Sequence, residues 1–113
     1  MGHGILAVQT QALVGADEAY NVWYDGVHVP EILATPGFQA CRRYRVLHSP
    51  NAPAGHELEW ARYLAIYEID HIDIVGAHTA LLRRSRDGEL TAGPSVAALP
   101  YRSQLFEQIA VSP

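Results

Sequence analysis

The chain predicts a single α+β domain with the ferredoxin-like split order β-α-β-β-α-β, in which two helices cover one face of an antiparallel sheet. Its length of 113 residues is close to the commonest domain size and allows one hydrophobic core. A hydrophobic fraction of 49% with a charged fraction of 18% is typical of a globular chain. The third observation is the order of the periodic segments along the chain. We therefore expect residues 1–113 to form one domain.

The first half of the chain predicts a strand, a helix and a second strand. Residues 4–14 form an apolar run that is typical of a buried strand. Asp17 can cap the following helix, whose apolar stripe consists of Ala19, Val22, Trp23, Gly26, Val27 and Pro30. Because Pro30 lacks an amide hydrogen and presses on the carbonyl group of Gly26, we expect the helix to kink or restart near Val29. Residues 38–47 alternate as a second strand with an unusually basic middle.

The second half predicts a long loop at 49–59 and then a strand, a helix and a final strand. The strand at 60–70 has one face formed by Tyr63, Ala65, Tyr67 and Ile69. Asp73 can cap the second helix, whose stripe consists of Ile74, Val75, His78, Leu81, Leu82 and Ser85. Asp87-Gly88 ends this helix, and Arg83, Arg84 and Arg86 near its end are interpreted as a solvated cluster that complements the helix dipole. Residues 101–111 alternate as the fourth strand.

The uncovered face of the predicted sheet needs a partner. The second and fourth strands carry more apolar surface than a two-layer monomer can cover, on Phe38, Tyr44, Val46, Leu105, Ile109 and Val111. This surplus predicts a homodimer in which the sheet faces of two copies pack together.

Composition and motifs exclude several classes of function. A net charge of -4 argues against a nucleic-acid partner, and no apolar run approaches the length of a membrane span. Without a signal-like N-terminus, the expected location is cytoplasmic. The single cysteine, Cys41, has no partner for a disulfide, and no metal-binding or nucleotide-binding motif is present. We therefore predict neither a metal site nor a cofactor.

The densest group of chemically able side chains is on the first helix, between Trp23 and Glu31. Tyr24, His28 and Glu31 are spaced i, i+4 and i+7, so they share one edge of the helix. An imidazole beside a carboxylate and a phenol can act as a general acid or base, with Tyr24 or Asp25 orienting it. The alternative is that Asp25 and Glu31 face solvent and His28 only caps the break in the helix.

Other side chains extend this candidate site. His78 on the second helix would face the same layer, and Arg43 or Arg45 could hold an oxyanion. Cys41 shares the strand face of these arginines, and His48 directly follows that strand. The predicted catalytic residues are therefore His28, Tyr24, Asp25, Arg43 and His78. The predicted substrate-binding residues are Trp23, Val27, Glu31, Cys41, His48, Tyr67 and Leu82.

Residues 20–38 read YNVWYDGVHVPEILATPGF and are followed by Arg42-Arg43-Tyr44. This segment resembles the dimeric α+β barrel superfamily, most closely its EthD-like members, in which a helix bearing Trp-Tyr and His-x-Pro-Glu precedes a Pro-Gly-Phe turn and an arginine-bearing strand. The resemblance implies a homodimer with a pocket between sheet and helices in each subunit. It also implies that His28 corresponds to the family's helix-one histidine, with Arg43, His48 and His78 as candidates for assisting residues.

Relatives in this superfamily include polyketide cyclases, a muconolactone isomerase and cofactor-free monooxygenases. The resemblance therefore implies a cofactor-independent enzyme that performs cyclisation, isomerisation or dehydration on a small hydrophobic, aromatic or polyketide-like molecule. A cofactor-free monooxygenase acting on a phenolic substrate is an alternative. A non-catalytic protein that binds a hydrophobic metabolite is a second alternative, and a haem-degrading relative is a third, since a fold alone does not give a function.

Overall fold

Four antiparallel strands and the helices between them follow the predicted order. In the computed structural model, which describes residues 2–47, 61–93 and 102–113, the strands are β1 (Gly2–Thr10), β2 (Phe38–Arg45), β3 (Tyr63–His71) and β4 (Arg102–Glu107). They form one sheet in the order β2-β3-β1-β4. The helical segments are α1 (Asp17–Trp23), a π-helical turn (Tyr24–His28), α2 (Val29–Leu33) and α3 (Ile74–Arg86). The predicted fold class is confirmed.

The core lies between one sheet face and the helices. Along β3, the face predicted from the alternation is buried, and its members are Tyr63, Ala65, Tyr67 and Ile69. Leu6 on β1 pairs with Tyr67 in the ladder and is buried on the same side. α2 packs against β2, whereas α3 packs against β3, β1 and β4. α2 and α3 therefore lie over different halves of the same sheet face.

The irregularity predicted in the first helix is present. The amide of Val29 donates a hydrogen bond to the carbonyl group of Tyr24, five residues earlier, which is the π-helical pattern. Pro30 follows in the first turn of α2, where the missing amide hydrogen costs little. The predicted restart at Val29 is confirmed. The predicted cap is wrong, because α1 begins at Asp17 itself and the side chain of Asp17 contacts Arg62 and Tyr63 instead.

The predicted apolar stripe of the first helix is wrong. Val22 is 69% exposed, and Ala19 and Gly26 are also exposed. The buried positions are Tyr20, Tyr24 and Ile32. This choice has a physical reason, because each buried phenol finds a hydrogen-bond partner for its hydroxyl group, Thr10 for Tyr20 and Tyr67 for Tyr24.

A register shift near the start of β2 changes which residues lie on the open face of the sheet, so part of the prediction for that face is wrong. Phe38 pairs with Ile69, but Ala40 pairs with Glu68, so an irregularity lies between Phe38 and Ala40. Phe38 therefore joins Cys41 and Arg43 on the helix-covered face and is buried. Leu105 pairs with the buried Leu6 and packs against the core as well. Neither Phe38 nor Leu105 contributes to the open face.

Strand β4 and its continuation also differ from the prediction. β4 ends at Glu107, and residues 108–113 that follow it have no regular structure. Ile109 and Val111 are 93% and 75% exposed in this segment, beyond the end of the strand. β1 likewise ends at Thr10, because a turn with Gly15 at a positive φ of 79° follows it. The predicted loop at 49–59 lies outside the described residues.

The second helix begins as predicted. The carboxylate of Asp73 accepts a hydrogen bond of 2.9 Å from the amide of Gly76, and Gly88 follows the helix at a positive φ. Its buried stripe consists of Ile74, Ala77 and Leu81, whereas the predicted Val75 and Leu82 are 67% and 54% exposed.

The open face of the sheet is formed by alternate residues of all four strands. The ladder pairs Ile5 with Glu68 and Ala7 with Ile66 in its centre. Tyr44 on β2 and Phe106 on β4 extend the apolar part of this face, and they are 50% and 45% exposed. None of the described helices is long and apolar enough to cross a membrane.

Candidate functional site

Three aromatic side chains of the first helical segment contact one another, and we call them the His28 site: Trp23, Tyr24 and His28. The imidazole ring of His28 stacks on the indole ring of Trp23, with centroids 4.6 Å apart and planes 26° apart. The edge of the Tyr24 ring meets the same imidazole at 4.8 Å. The sequence prediction that Tyr24 and His28 share a helix edge therefore agrees with the structure.

The π-helical turn explains how His28 remains beside Tyr24. Residues spaced four apart drift around an α-helix, which has 3.6 residues per turn. The wider turn at Tyr24–His28 offsets this drift, so Tyr20, Tyr24 and His28 follow one another along the same side. Such turns often mark functional sites.

The His28 site contains two buried polar atoms that lack partners among the described residues. They are Nδ1 of His28 and Nε1 of Trp23, which belong to the two stacked rings. The indole nitrogen can only donate a hydrogen bond, whereas Nδ1 of a neutral imidazole can accept one when Nε2 carries the proton. Because buried polar groups are normally paired, these two nitrogen atoms make the His28 site the candidate ligand-binding position of the first helical segment.

Burial determines the charge of His28. It lowers the pKa of His28 below the ordinary value of 6.5. The negative charge of Glu31 opposes this shift, and the positive charge of Arg43 adds to it. The imidazole is therefore neutral at pH 7 and can accept a proton.

Tyr24 is linked to the central strand rather than to the nitrogen atoms of His28. The hydroxyl group of Tyr67 donates a hydrogen bond of 3.1 Å to that of Tyr24, and both side chains are buried. Cys41 adjoins Tyr67, and burial raises the pKa of its thiol to about 11. Burial also raises the pKa of both phenols. The thiol and the two phenols therefore stay neutral, so their role is structural and they do not supply protons.

Arg43 and Asp25 form a second group on the other side of Tyr24. The guanidinium group of Arg43 donates to Asp25 Oδ1 at 2.8 Å and to Asn21 Oδ1 at 2.9 Å. Its Cζ lies 4.2 Å from the centre of the Tyr24 ring. The structure thus brings Arg43 and Asp25 together, but the described partner of Asp25 is Arg43 and not His28.

The carboxylate of Glu31 has partners that the sequence analysis missed. It accepts hydrogen bonds from the amide and the hydroxyl group of Thr91, at 2.9 and 3.0 Å. Arg84 also reaches this region, because its Nη1 donates to the carbonyl group of Glu31 at 2.7 Å and to Thr35 Oγ1 at 2.5 Å. The interpretation of Arg84 as part of a solvated cluster is therefore wrong, and no sequence signal indicated these long-range contacts.

The remaining candidates lie apart from the His28 site or outside the described residues. His78 is half-buried on α3, which packs over the other half of the sheet, and Leu82 is largely exposed on the same helix. Val27 is half-buried within the π-helical turn, next to His28 in the chain. His48 lies outside the described residues.

One recess lies beside the Arg43 group and another lies at the open face of the sheet, and His28 lines neither of them. Asp25 and Arg43 help to line one of about 320 Å³ beside β2. A larger recess of about 510 Å³ lies at the end of the open face, where His3, Glu68, Asp70 and Phe106 are among its lining residues.

Comparison with known proteins gives a fold but not a family. No protein-family model and no curated protein matches the sequence. Among solved structures, the chain is similar to an ethyl tert-butyl ether D (EthD) family protein from Bacillus halodurans, at 17% identity and a TM-score of 0.57, over 96% of this chain and 100% of that one.

Two further similar structures are provisionally assigned as monooxygenases. One is an antibiotic biosynthesis monooxygenase from Bordetella bronchiseptica, with 15% identity and a TM-score of 0.66 over 97% of this chain and 100% of that one. The other comes from Shewanella loihica, with 13% identity and a TM-score of 0.60 over 98% of this chain and 99% of that one. The chain therefore has the ferredoxin-like α+β fold that these proteins share.

Proposed function

We propose that this protein is a cofactor-independent enzyme in which neutral His28 removes a proton from a small aromatic molecule. The observation that carries the proposal is the buried Nδ1 of His28, which, like the buried Nε1 of the Trp23 ring stacked on it, has no hydrogen-bond partner in the described part of the chain. A general base must be free of its proton at the working pH, and it works best when its pKa lies near that pH. Because burial lowers the pKa of His28 from 6.5, the imidazole is free of its proton at neutral pH.

The surroundings of His28 favour an aromatic substrate. The imidazole is flanked by the rings of Trp23 and Tyr24, and Val29 and Leu33 add partly buried apolar surface nearby in the chain. Aromatic rings bind other rings through stacked or edge-to-face contacts. The indole N–H of Trp23 can donate a hydrogen bond to an oxygen atom of the substrate while His28 accepts a proton.

Arg43 has a different role in this proposal from the one that the sequence suggested. Its two terminal nitrogen atoms are held by Asp25 and Asn21, and the guanidinium group lies against the Tyr24 ring, so the fork that would grip an oxyanion is engaged. Its buried Nε has no partner among the described residues. Its positive charge still disfavours the protonated form of His28. We therefore assign Arg43 to positioning Tyr24 and keeping His28 neutral.

The reaction that follows proton removal has two candidates. A carbanion or phenolate can rearrange or lose a leaving group, as the resemblance to a superfamily that includes polyketide cyclases and a muconolactone isomerase suggests. It can also reduce oxygen, which the provisional assignments of the Bordetella bronchiseptica and Shewanella loihica proteins favour. In that case an activated CH2 group loses one proton to His28, and the carbanion combines with O2 to give a peroxide anion. His28 returns the proton to this anion, and loss of water, which removes the remaining hydrogen of that carbon and breaks the O–O bond, leaves a C=O group.

A non-catalytic binding protein remains the second candidate function. The engagement of Arg43 by Asp25 and Asn21 favours it, because both terminal nitrogen atoms of this cation are then occupied rather than available to stabilise an oxyanion.

We also propose that two copies of the chain pair through their open sheet faces. Tyr44, Phe106, Ile66 and Ala7 form an apolar surface on that face, and partly exposed aromatic side chains of this kind are typical of an interface.

The experiment that tests the enzyme proposal uses 5-nitrobenzisoxazole, whose isoxazole ring opens to a coloured phenolate when a base removes the C–H proton of that ring. This aromatic probe reports an accessible base without knowledge of the natural substrate. We expect His28→Gln to lower the protein-catalysed rate by about a hundredfold, the usual contribution of a positioned base. His78→Gln is the matched control, because burial also lowers the pKa of His78 on α3. Equal rates for the wild type and His28→Gln would overturn the proposal.

A further inference from the structure

Residues 90–93, which follow α3, lie against the first helical segment and are bound to it. The amide and hydroxyl group of Thr91 bind the two carboxylate oxygens of Glu31, at 2.9 and 3.0 Å. Hydrogen bonds to a charged acceptor are about twice as strong as those between neutral groups. Leu90, next to Thr91, packs against the hydrophobic core and thereby helps to hold the segment in place.

Gly93 lies against the indole ring of Trp23. A Cβ atom placed on Gly93 would lie 2.7 Å from Cε2, 2.7 Å from Cζ2 and 2.8 Å from Cδ2 of Trp23. Such nearly equal distances to neighbouring ring atoms place this position over the ring, and each is shorter than a real carbon–carbon contact. Gly93 does not have a positive φ, so the close approach to the indole is what requires glycine here.

The consequence for the His28 site follows from the stacking of its rings. Trp23 contacts Gly93 and also stacks on His28, with ring centroids 4.6 Å apart. A side chain at position 93 would force the indole ring of Trp23 to move. Because this ring stacks on His28, the surroundings of the imidazole would change as well. Gly93 and His28 therefore both limit where the indole ring can lie.

We propose that Glu31 and Thr91 clamp residues 90–93 over Trp23, and that Gly93 sets the largest aromatic ring system that the His28 site admits. The clamp makes Glu31 and Thr91 positioning residues, which act on the site through Trp23. Gly93 becomes a determinant of specificity. The limit on ring size rests on the proposed function, whereas the positioning of Trp23 does not.

The test measures two quantities separately: the environment of the Trp23 indole, and the dependence of binding affinity on the size of the ligand. The indole N–H signal of Trp23 is followed by NMR in the full-length protein and assigned by its loss in Trp23→Phe. Binding of phenol, 1-naphthol and 1-anthrol, which have one, two and three rings, is measured by titration. Gly93→Ala is compared with Gly26→Ala, because a Cβ atom at Gly26 would meet nothing within 4 Å.

We expect Gly93→Ala to shift the indole signal and to weaken binding of the two larger phenols at least fivefold, with less than a twofold change for phenol. Gly26→Ala should leave the signal and all three affinities within twofold of the wild type. Thr91→Val removes one bond of the clamp, so it should speed hydrogen exchange at the Trp23 indole severalfold. Thr79→Val is the matched control and should leave this exchange rate unchanged. The hydroxyl group of Thr79 donates to the carbonyl group of Val75 in its own helix.

Three results would contradict the inference in different ways. An unchanged indole signal in Gly93→Ala would show that Gly93 does not position Trp23. An unchanged exchange rate in Thr91→Val would overturn the clamp. A shifted signal with equal weakening of all three phenols would overturn the limit on ring size. If none of the phenols binds the wild type, the proposed aromatic substrate and the size limit both fail, and the indole signal still decides the positioning of Trp23.

Discussion

The hydroxyl groups of Tyr24, in the π-helical turn, and Tyr67, on the central strand β3, are joined by a buried hydrogen bond of 3.1 Å. This bond fixes the turn that carries His28 to the most central part of the sheet. Because the edge of the Tyr24 ring also contacts His28, the same phenol determines where the imidazole lies. The geometry of the His28 site is therefore coupled to the core.

The phenol pair should contribute measurably to stability. Tyr67→Phe leaves the hydroxyl group of Tyr24 buried without this partner, and we expect the free energy of unfolding to fall by about 1–3 kcal/mol. Tyr24→Phe should cost a similar amount. The double variant should cost less than the sum of the two, since removing both groups leaves no unpaired partner. Urea unfolding at a fixed protein concentration measures all four proteins, and strictly additive losses would contradict the coupling.

Arg43 should be a structural residue of the first helical layer. Arg43→Met removes hydrogen bonds to Asp25 and Asn21 and the contact with the Tyr24 ring, so we expect a loss of about 2–4 kcal/mol. Arg86→Met is the control, because the side chain of Arg86 is 72% exposed and should contribute at most about 1 kcal/mol. Equal losses for the two variants, measured by urea unfolding, would show that Arg43 is not held as the structure indicates.

Cys41 should be an unreactive thiol in the folded protein. Its pKa of about 11, raised from 9.0 by burial, leaves about a hundredfold less thiolate at pH 8 than in an ordinary cysteine. We expect the rate of reaction with Ellman's reagent to be lower by about that factor in the native protein than in urea. The rate should continue to rise with pH beyond 9. A native rate equal to the unfolded one would rule out the buried environment.

The fold could be predicted because its signals are local. The alternation along β3 identifies the buried face from Tyr63 to Ile69, and the position of Pro30 identifies where the helix restarts. The capping by Asp73 also follows from neighbouring residues, which is why it is confirmed. Features of this kind depend on a few adjacent side chains and on the period of the element.

The site could be predicted only in part, because several of its contacts join distant segments. His28, Tyr24 and Trp23 are close in sequence, so the helix period brings them together. Thr91 and Gly93 reach the site only through the return of the chain after α3, which no local pattern indicates. The apolar stripe of the first helix was missed because its buried positions are filled by tyrosines rather than by aliphatic residues.

The open face should support self-association. Ile66→Lys places a charge at the centre of this face, opposite Ala7, so we expect it to convert a dimer into a monomer. Leu82→Lys is the control, because Leu82 is 54% exposed on α3, away from the open face. Light scattering coupled to size-exclusion chromatography gives the masses. A monomeric wild type, or an Ile66→Lys variant that stays dimeric, would contradict the proposed interface.

The central claim is that His28 is a neutral base at neutral pH and that its buried Nδ1, which has no hydrogen-bond partner among the described residues, carries no proton. Its most direct test is an NMR titration of protein labelled with 15N at histidine, in which His28 is assigned by comparison with His28→Gln. Because burial lowers the pKa of His28, the midpoint should lie below 6.5, and Nδ1 should carry no proton above it. A midpoint at or above 6.5, or a proton on Nδ1 at pH 7.5, would contradict the account.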